Sequence, residues 1–230
     1  MTKQLVKVVT GISLLAVLIF SNNAKSDLIY DGDISPGVIF GSGNGNGFFV
    51  IDAQNDIEVA LRAKVPYASE YNSDGAGNYN MLTGEHPRWG GVGAAWNFEF
   101  AINVNADGLN DEMFSNYLIS LAIDLDPSIG QSFLTFDPVS VFADNAIGNN
   151  NSVAQNSMNI GWLMQPFDNS VAGIYDFVLT VTDITGADIL AETRMTVNVT
   201  AANVSEPASI FILSMSILGL AIRRKLSQKA

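Results

Sequence analysis

The sequence predicts an all-β protein: an antiparallel β-sandwich of jelly-roll or immunoglobulin-like kind, with an N-terminal signal helix before it and a C-terminal transmembrane helix after it. Three observations predict it. Apolar residues along the middle of the chain recur at every second position, the period of a strand with one face in a core. Asn, Asp, Gly and Pro punctuate these runs, and no amphipathic helix of convincing length interrupts them. Short hydrophobic segments stand at the two ends, each beside basic residues.

The first element is an address. Lys3 and Lys7 precede an apolar run from Val8 to Phe20, and Ala24 and Ser26 supply the small residues that signal peptidase requires, so cleavage is expected before Asp27. The run falls short of the ~20 residues that span hydrocarbon, so 1–26 reads as a removable leader.

The body, 27–203, begins with a Gly-rich segment, Gly41-Ser42-Gly43-Asn44-Gly45-Asn46-Gly47. A phosphate loop would have to open a helix, whereas Phe48-Phe49-Val50-Ile51 is strand-like, so a flexible hairpin is expected. Strand candidates then run from Phe48 to Asp52 and from Ile57 to Val65. A polar segment follows, from Tyr67 to Gly93. Within it Tyr79 and Trp89 are read two ways, as stacking platforms for sugar rings or as plugs of the core. His86, the only histidine, cannot build a multi-histidine metal site, and without a G-x-S-x-G elbow it has no serine to serve.

Trp96, Phe98, Phe100, Ile102 and Val104 alternate with Asn97, Glu99, Ala101 and Asn103. Tyr117, Ile119, Leu121, Ile123 and Leu125 repeat the period. Phe133 to Phe136 is a short candidate. Tyr175, Phe177, Leu179 and Val181 stand opposite Asp176, Thr180 and Thr182, and in the last run Met195, Val197 and Val199 face in while Arg194, Thr196 and Asn198 face out. Turns are expected at Asp74-Gly75, Asn78, Asp107-Gly108, Asp126-Pro127, Asp137-Pro138, Gly173 and Thr185-Gly186.

Two carboxylates stand out. Asp124 and Asp126 lie two apart, hence on one face of a strand end, and two such oxygens with loop carbonyls, joined by Asp137 or Asp144, would begin a calcium site. The bland alternative is a solvated strand end with Asp-Pro turns. Glycoside hydrolysis needs two facing carboxyl groups. Glu85, Glu99 and Glu112 are available, but alternation puts Glu99 on the face away from the aromatics, where solvent is expected. An enzyme is therefore not expected.

Charge narrows the partners. Between Asp27 and Asn203, 22 carboxylates meet four basic side chains, Arg62, Lys64, Arg88 and Arg194, leaving a formal charge of −18. Such a surface repels nucleic acid, whose binding depends on Lys and Arg neutralising phosphates. Cysteine is absent, which excludes disulfides, thiolate metal sites and a cysteine nucleophile.

The tail, 204–230, reads Val204-Ser205-Glu206-Pro207, an apolar helix from Ala208 to Ile222, then Arg223-Arg224-Lys225. The basic cluster is expected to stay cytoplasmic, leaving the acidic body outside. At these residues the chain resembles the PEP-CTERM family of exported bacterial proteins. Glu206-Pro207 looks like the end of that family's Pro-Glu-Pro signature, with Ser205 where the first Pro would stand. The segments VIFGSGNGNGFFV, VALRAKVPY, WNFEFAINVN, SLAIDLDP, SFLTFDPVS and VAQNSMN are similar to stretches of one uncharacterised subgroup of such proteins.

The resemblance implies recognition by an exosortase, a transient inner-membrane anchor, and sorting to the cell surface or exopolysaccharide-associated matrix of a Gram-negative bacterium. The expected role is structural or adhesive. The alternatives are a carbohydrate-binding module, with or without calcium, and a polysaccharide hydrolase.

Overall fold

The alternating runs become strands of two sheets packed face to face. The computed structural model describes residues 27–35, 45–68, 71–86, 88, 93–109, 111–142, 147–148, 151–163 and 167–202. Ala24 and Ser26 of the leader, the tail with Ser205, Glu206, Pro207, Arg223, Arg224 and Lys225, and also Trp89 and Asp144 lie outside the described residues.

In chain order the strands are β1 (Ile29–Gly32), β2 (Phe49–Gln54), β3 (Ile57–Lys64), β4 (Asn78–Leu82), β5 (Asn97–Asn103), β6 (Tyr117–Asp124), β7 (Phe133–Phe136), β8 (Ile147–Gly148), β9 (Val153–Asn159), β10 (Gly173–Asp183) and β11 (Ile189–Thr200). Two short helices, α1 (Pro138–Phe142) and α2 (Ile160–Leu163), follow β7 and β9. Sheet A has the order β1-β2-β3-β5-β9-β8 and is antiparallel throughout. Sheet B has the order β4-β11-β10-β6-β7, and its one departure from antiparallel pairing is β4, which runs parallel to β11. The expected sandwich is present, mixed at that edge: the chain leaves β3 in sheet A and enters sheet B beside the strand that will be its last.

Between the sheets lies the main core. Ile57, Val59, Leu61 and Ala63 of β3 and Phe98, Phe100 and Ile102 of β5 face Leu121, Phe177, Leu179 and Val197 of sheet B, all buried. Trp96 meets Phe167 and Phe177 edge-on, and Phe98 lies 5.3 Å from Phe177, the tilted contacts that ring quadrupoles favour. Side chain and backbone bonds sew the sheets together along one seam. The Thr193 hydroxyl donates to the Val50 carbonyl at 2.8 Å, and Asp52 Oδ2 accepts the Glu192 amide at 2.8 Å.

Sheet A is covered on both faces. Away from the main core, Ile34, Phe49, Ile51, Ala60, Ala101 and Val153 form a second apolar cluster. Glu58, Arg62, Lys64, Asn97, Glu99, Asn103 and Gln155 share that face and are buried as well. Ser35 holds Glu58 from above by its amide and its hydroxyl, at 2.9 and 3.0 Å. Sheet B differs, for its outward residues Asp176, Val178, Arg194 and Thr196 keep access to solvent.

Candidate functional site

Gly45 and Gly47, at the end of the Gly-rich segment, close over a cation that the protein itself supplies. Arg62 is buried in the centre of sheet A, and its guanidinium donates to the carbonyls of Gly47 at 2.7 Å and Gly45 at 2.9 Å. Its remaining edge pairs with Glu99, whose other oxygen pairs with Lys64. The rings of Phe49 and Tyr71 lie 4.1 and 4.7 Å from the guanidinium carbon, a cation–π contact on each. Carbonyls rather than amides point inward, so the described part of this loop is built for a cation, and Arg62 fills it. Phe48 is held at φ 61°, a costly angle for a bulky residue, by stacking on Tyr71 and by its carbonyl's bond to Tyr79.

This arrangement corrects the exposure expected for Glu99. The residue points away from the core aromatics, as the alternation requires, yet it is fully buried because a second layer covers that face. Its two oxygens are occupied by two cations, Arg62 and Lys64.

Tyr79 is a core residue. Its ring is buried and its hydroxyl donates to the Phe48 carbonyl at 2.5 Å; burial, with help from the Asp31 carboxylate, pushes its pKa well above the usual tyrosine value. It presents no face to a sugar. The other half of that proposed platform, Trp89, lies outside the described residues. His86 is buried too, with Nε2 3.3 Å from the Pro66 carbonyl and Nδ1 accepting the Arg88 amide at 3.2 Å.

Asp124 and Asp126 organise a turn. Asp124 Oδ1 accepts the amides of Asp126 at 3.0 Å and Ser132 at 2.7 Å, and Asp126 Oδ1 accepts the Ser128 amide at 2.9 Å. That last bond, with help from the Ser128 hydroxyl, holds the Asp126 carboxyl below its ordinary range. Asp137 Oδ1 accepts the Val139 amide at 2.8 Å. Among the described residues no group of three or more acidic or histidine side chains is placed to hold a metal ion.

The turn that Asp124 and Asp126 build carries two residues to a groove of about 500 Å³ on the outer face of sheet B. Cross-strand register sets its floor. One row is Asn78, Thr196 and Asp176; the next pairs Arg194 with Val178 and Val178 with Ala122. Phe133 of β7 stands on one side and Tyr30 of β1 on the other, each near half exposed. Tyr30 packs closely over Gly77, at φ +85°: a Cβ there would stand 3.1 Å from the ring, and the ring would have to give way slightly. Asp176 is fixed between two donors, the Thr196 hydroxyl at 2.7 Å and the Gln131 amide at 3.1 Å. Arg194 pairs with Glu192 at the solvent edge.

No family model matches the chain, and no curated protein matches it either. Among solved structures it is similar to the soluble domain of PmoD from Methylocystis sp. ATCC 49242 (Rockwell), at 13% identity, over 64% of this chain and 96% of that one, with a TM-score of 0.32. So remote a likeness carries no argument about this chain.

Sequence reasoning assigned Arg194, Thr196 and Asp176 to outward positions but could not bring them to Tyr30 or Phe133. Strand order does that, and alternation holds no information about lateral order. Asn78 was expected as a turn and instead begins β4, where its backbone is paired by β11.

Proposed function

We propose that the chain is an exported, non-enzymatic protein of the cell surface or extracellular matrix of a Gram-negative bacterium, with a structural or adhesive role. Secretion machinery and signal peptidase handle its front, and an exosortase processes its tail after a transient stay in the inner membrane. One observation carries this reading: basic residues and an apolar run open the chain, a body of formal charge −18 follows, and Glu206-Pro207, an apolar run and Arg223-Arg224-Lys225 close it. A polypeptide so ordered leaves its acidic body beyond the membrane.

The geometry of the carboxylates supports a binding role over hydrolysis. Glu99 is paired and buried, and Glu112 accepts from the Asn116 amide at 2.6 Å and the Tyr117 hydroxyl at 3.1 Å. The alternative, a carbohydrate-binding module, is favoured by the groove on sheet B. Its calcium component draws no support from Asp124 and Asp126, whose oxygens serve backbone amides. Kinship of jelly-roll or immunoglobulin-like kind is our reading of a sandwich whose chain crosses between sheets after β3, β4, β5, β7 and β9.

Mass spectrometry of the protein recovered from the cell surface tests the proposal. The expected species begins at Asp27 and lacks Arg223, Arg224 and Lys225. An intact chain from Met1 to Ala230 in that fraction would refute it.

A further inference from the structure

We infer that the groove on the outer face of sheet B is a binding site for an uncharged glycan chain. Three features of the groove point to this ligand class. Phe133 and Tyr30 stand apart across a floor that carries Asn78, Thr196, Asp176, Val178 and Arg194, offering apolar ring surface at the two sides of a trough; pyranose rings present apolar C–H faces to such rings. Between them the polar groups are held before any ligand arrives. Asp176 keeps a lone pair free on each oxygen after accepting from Thr196 and Gln131, so it can receive two neighbouring hydroxyls, while Arg194 at the next register position donates. Neighbouring hydroxyls on a sugar ring, each both donor and acceptor, can use such a carboxylate and guanidinium together.

Charge excludes the competing class. The lining holds one carboxylate, Asp176, and one guanidinium, Arg194, which is already paired with Glu192, so the site offers an anion no uncompensated positive charge. The body around it is strongly acidic, which disfavours approach of a polyanion at low and moderate salt. A peptide added as a strand would need an open sheet edge, whereas the middle of the groove floor lies across the sheet face, over β10 and β11, each paired on both sides. An uncharged, hydroxyl-rich chain satisfies the lining and avoids the repulsion.

The inference goes beyond the proposed surface role, because binding in solution does not depend on export or processing. The experiment uses the full-length protein in a sugar-free detergent, titrated calorimetrically with cellohexaose, maltohexaose and xylohexaose, and with polygalacturonate as the acidic counterpart. The expected result is saturable binding of at least one neutral hexasaccharide. Tyr30→Ala, Phe133→Ala and Asp176→Asn are each expected to weaken it about tenfold, the loss usual for a central contact residue. Tyr67→Ala, an exposed aromatic away from the groove, leaves it unchanged. Since Tyr30→Ala or Phe133→Ala could perturb the fold, shifts of the Gln131 and Asn78 side-chain amide resonances on titration of the unmutated protein give a second readout. Absence of saturable binding to every neutral probe at millimolar concentration overturns the inference. So does binding that the three variants and the two amides do not register, or a preference for polygalacturonate.

Discussion

The two sheets of this molecule treat their outer faces in opposite ways. Sheet A buries its outer face, charges included, under the segments carrying Ile34, Ser35, Gly45, Gly47 and Tyr71; sheet B leaves Asp176, Val178, Arg194 and Thr196 of its outer face open between two aromatic rings. The same period-two alternation wrote both faces. What separates them is the cover on sheet A, where the Gly45 and Gly47 carbonyls meet the Arg62 guanidinium. Burial turns the ions of sheet A into structure, and exposure leaves the polar residues of sheet B free to meet a ligand.

The sharpest way to break this contrast is to remove the same kind of group from each face. Glu99→Leu leaves Arg62 and Lys64 buried without their counter-charge and is expected to cost about 3–5 kcal/mol, read as a fall in the denaturant midpoint. Asp176→Asn, on the open face, keeps an acceptor for Thr196 and gives up only the exposed bond from Gln131, and is expected to shift the midpoint by less than about 1 kcal/mol. Equal losses would erase the distinction.

Next in size is the loop that makes the lid. Gly47 sits at φ +93°, and a Cβ would approach Asp33 Oδ1 to 3.3 Å, so Gly47→Ala is expected to destabilise by about 1–2 kcal/mol in thermal unfolding. Gly108, also at positive φ but with open space around it, is the control: its alanine variant carries the backbone cost alone.

Tyr79→Phe removes the bond to Phe48 and strands that carbonyl, with an expected loss of about 1 kcal/mol. Its pH dependence has a definite sign. The folded state raises the Tyr79 pKa above the ordinary tyrosine value of 10.0, so the stability it contributes is complete below pH 10 and is lost as the pH rises toward the folded-state value. Tyr117 is pushed up to about 12 by burial and by its bond to Glu112, and adds to the same alkaline loss. The double variant with phenylalanine at both positions is expected to flatten the alkaline limb of the stability profile.

The smallest effects belong to exposed turns. Asp74, Asp126, Asp168 and Asp183 accept hydrogen bonds that lower their pKa below the ordinary aspartate value of 3.8. Their stabilisation is present above that value and lost as pH falls through the lowered ones. Acid unfolding curves of single alanine variants are expected to be shallower below pH 4 than that of the parent. Arg194 and Glu192 form a surface pair, and Glu192→Gln is expected to change stability by no more than about 0.5 kcal/mol.

The sequence made the sandwich legible where burial was one-sided. Phe133–Phe136 coincides with β7, and the alternating runs around Phe98, Leu121, Phe177 and Val197 became β5, β6, β10 and β11. It hid β9, because Gln155 and Asn159 are buried beneath the cover of sheet A and make a central strand read as polar. Asn159 shows why such a residue is tolerated: it accepts the Ala94 amide and donates to the carbonyls of Ala94 and Trp96, fixing the entry to β5. The groove was hidden for a different reason. Its floor was predictable from outward positions on β10 and β11, but Tyr30 comes from another sheet and packs closely over Gly77, a contact that alternation does not encode.

Arginine reactivity tests the division between the faces most directly. The native full-length protein would be treated with phenylglyoxal and mapped by peptide mass spectrometry. Arg194, exposed at the rim of the groove, is expected to be modified readily, whereas Arg62, held by Glu99 and by two glycine carbonyls, stays unmodified until the protein is unfolded. Modification of Arg62 at the rate of Arg194 in the native protein would contradict the account.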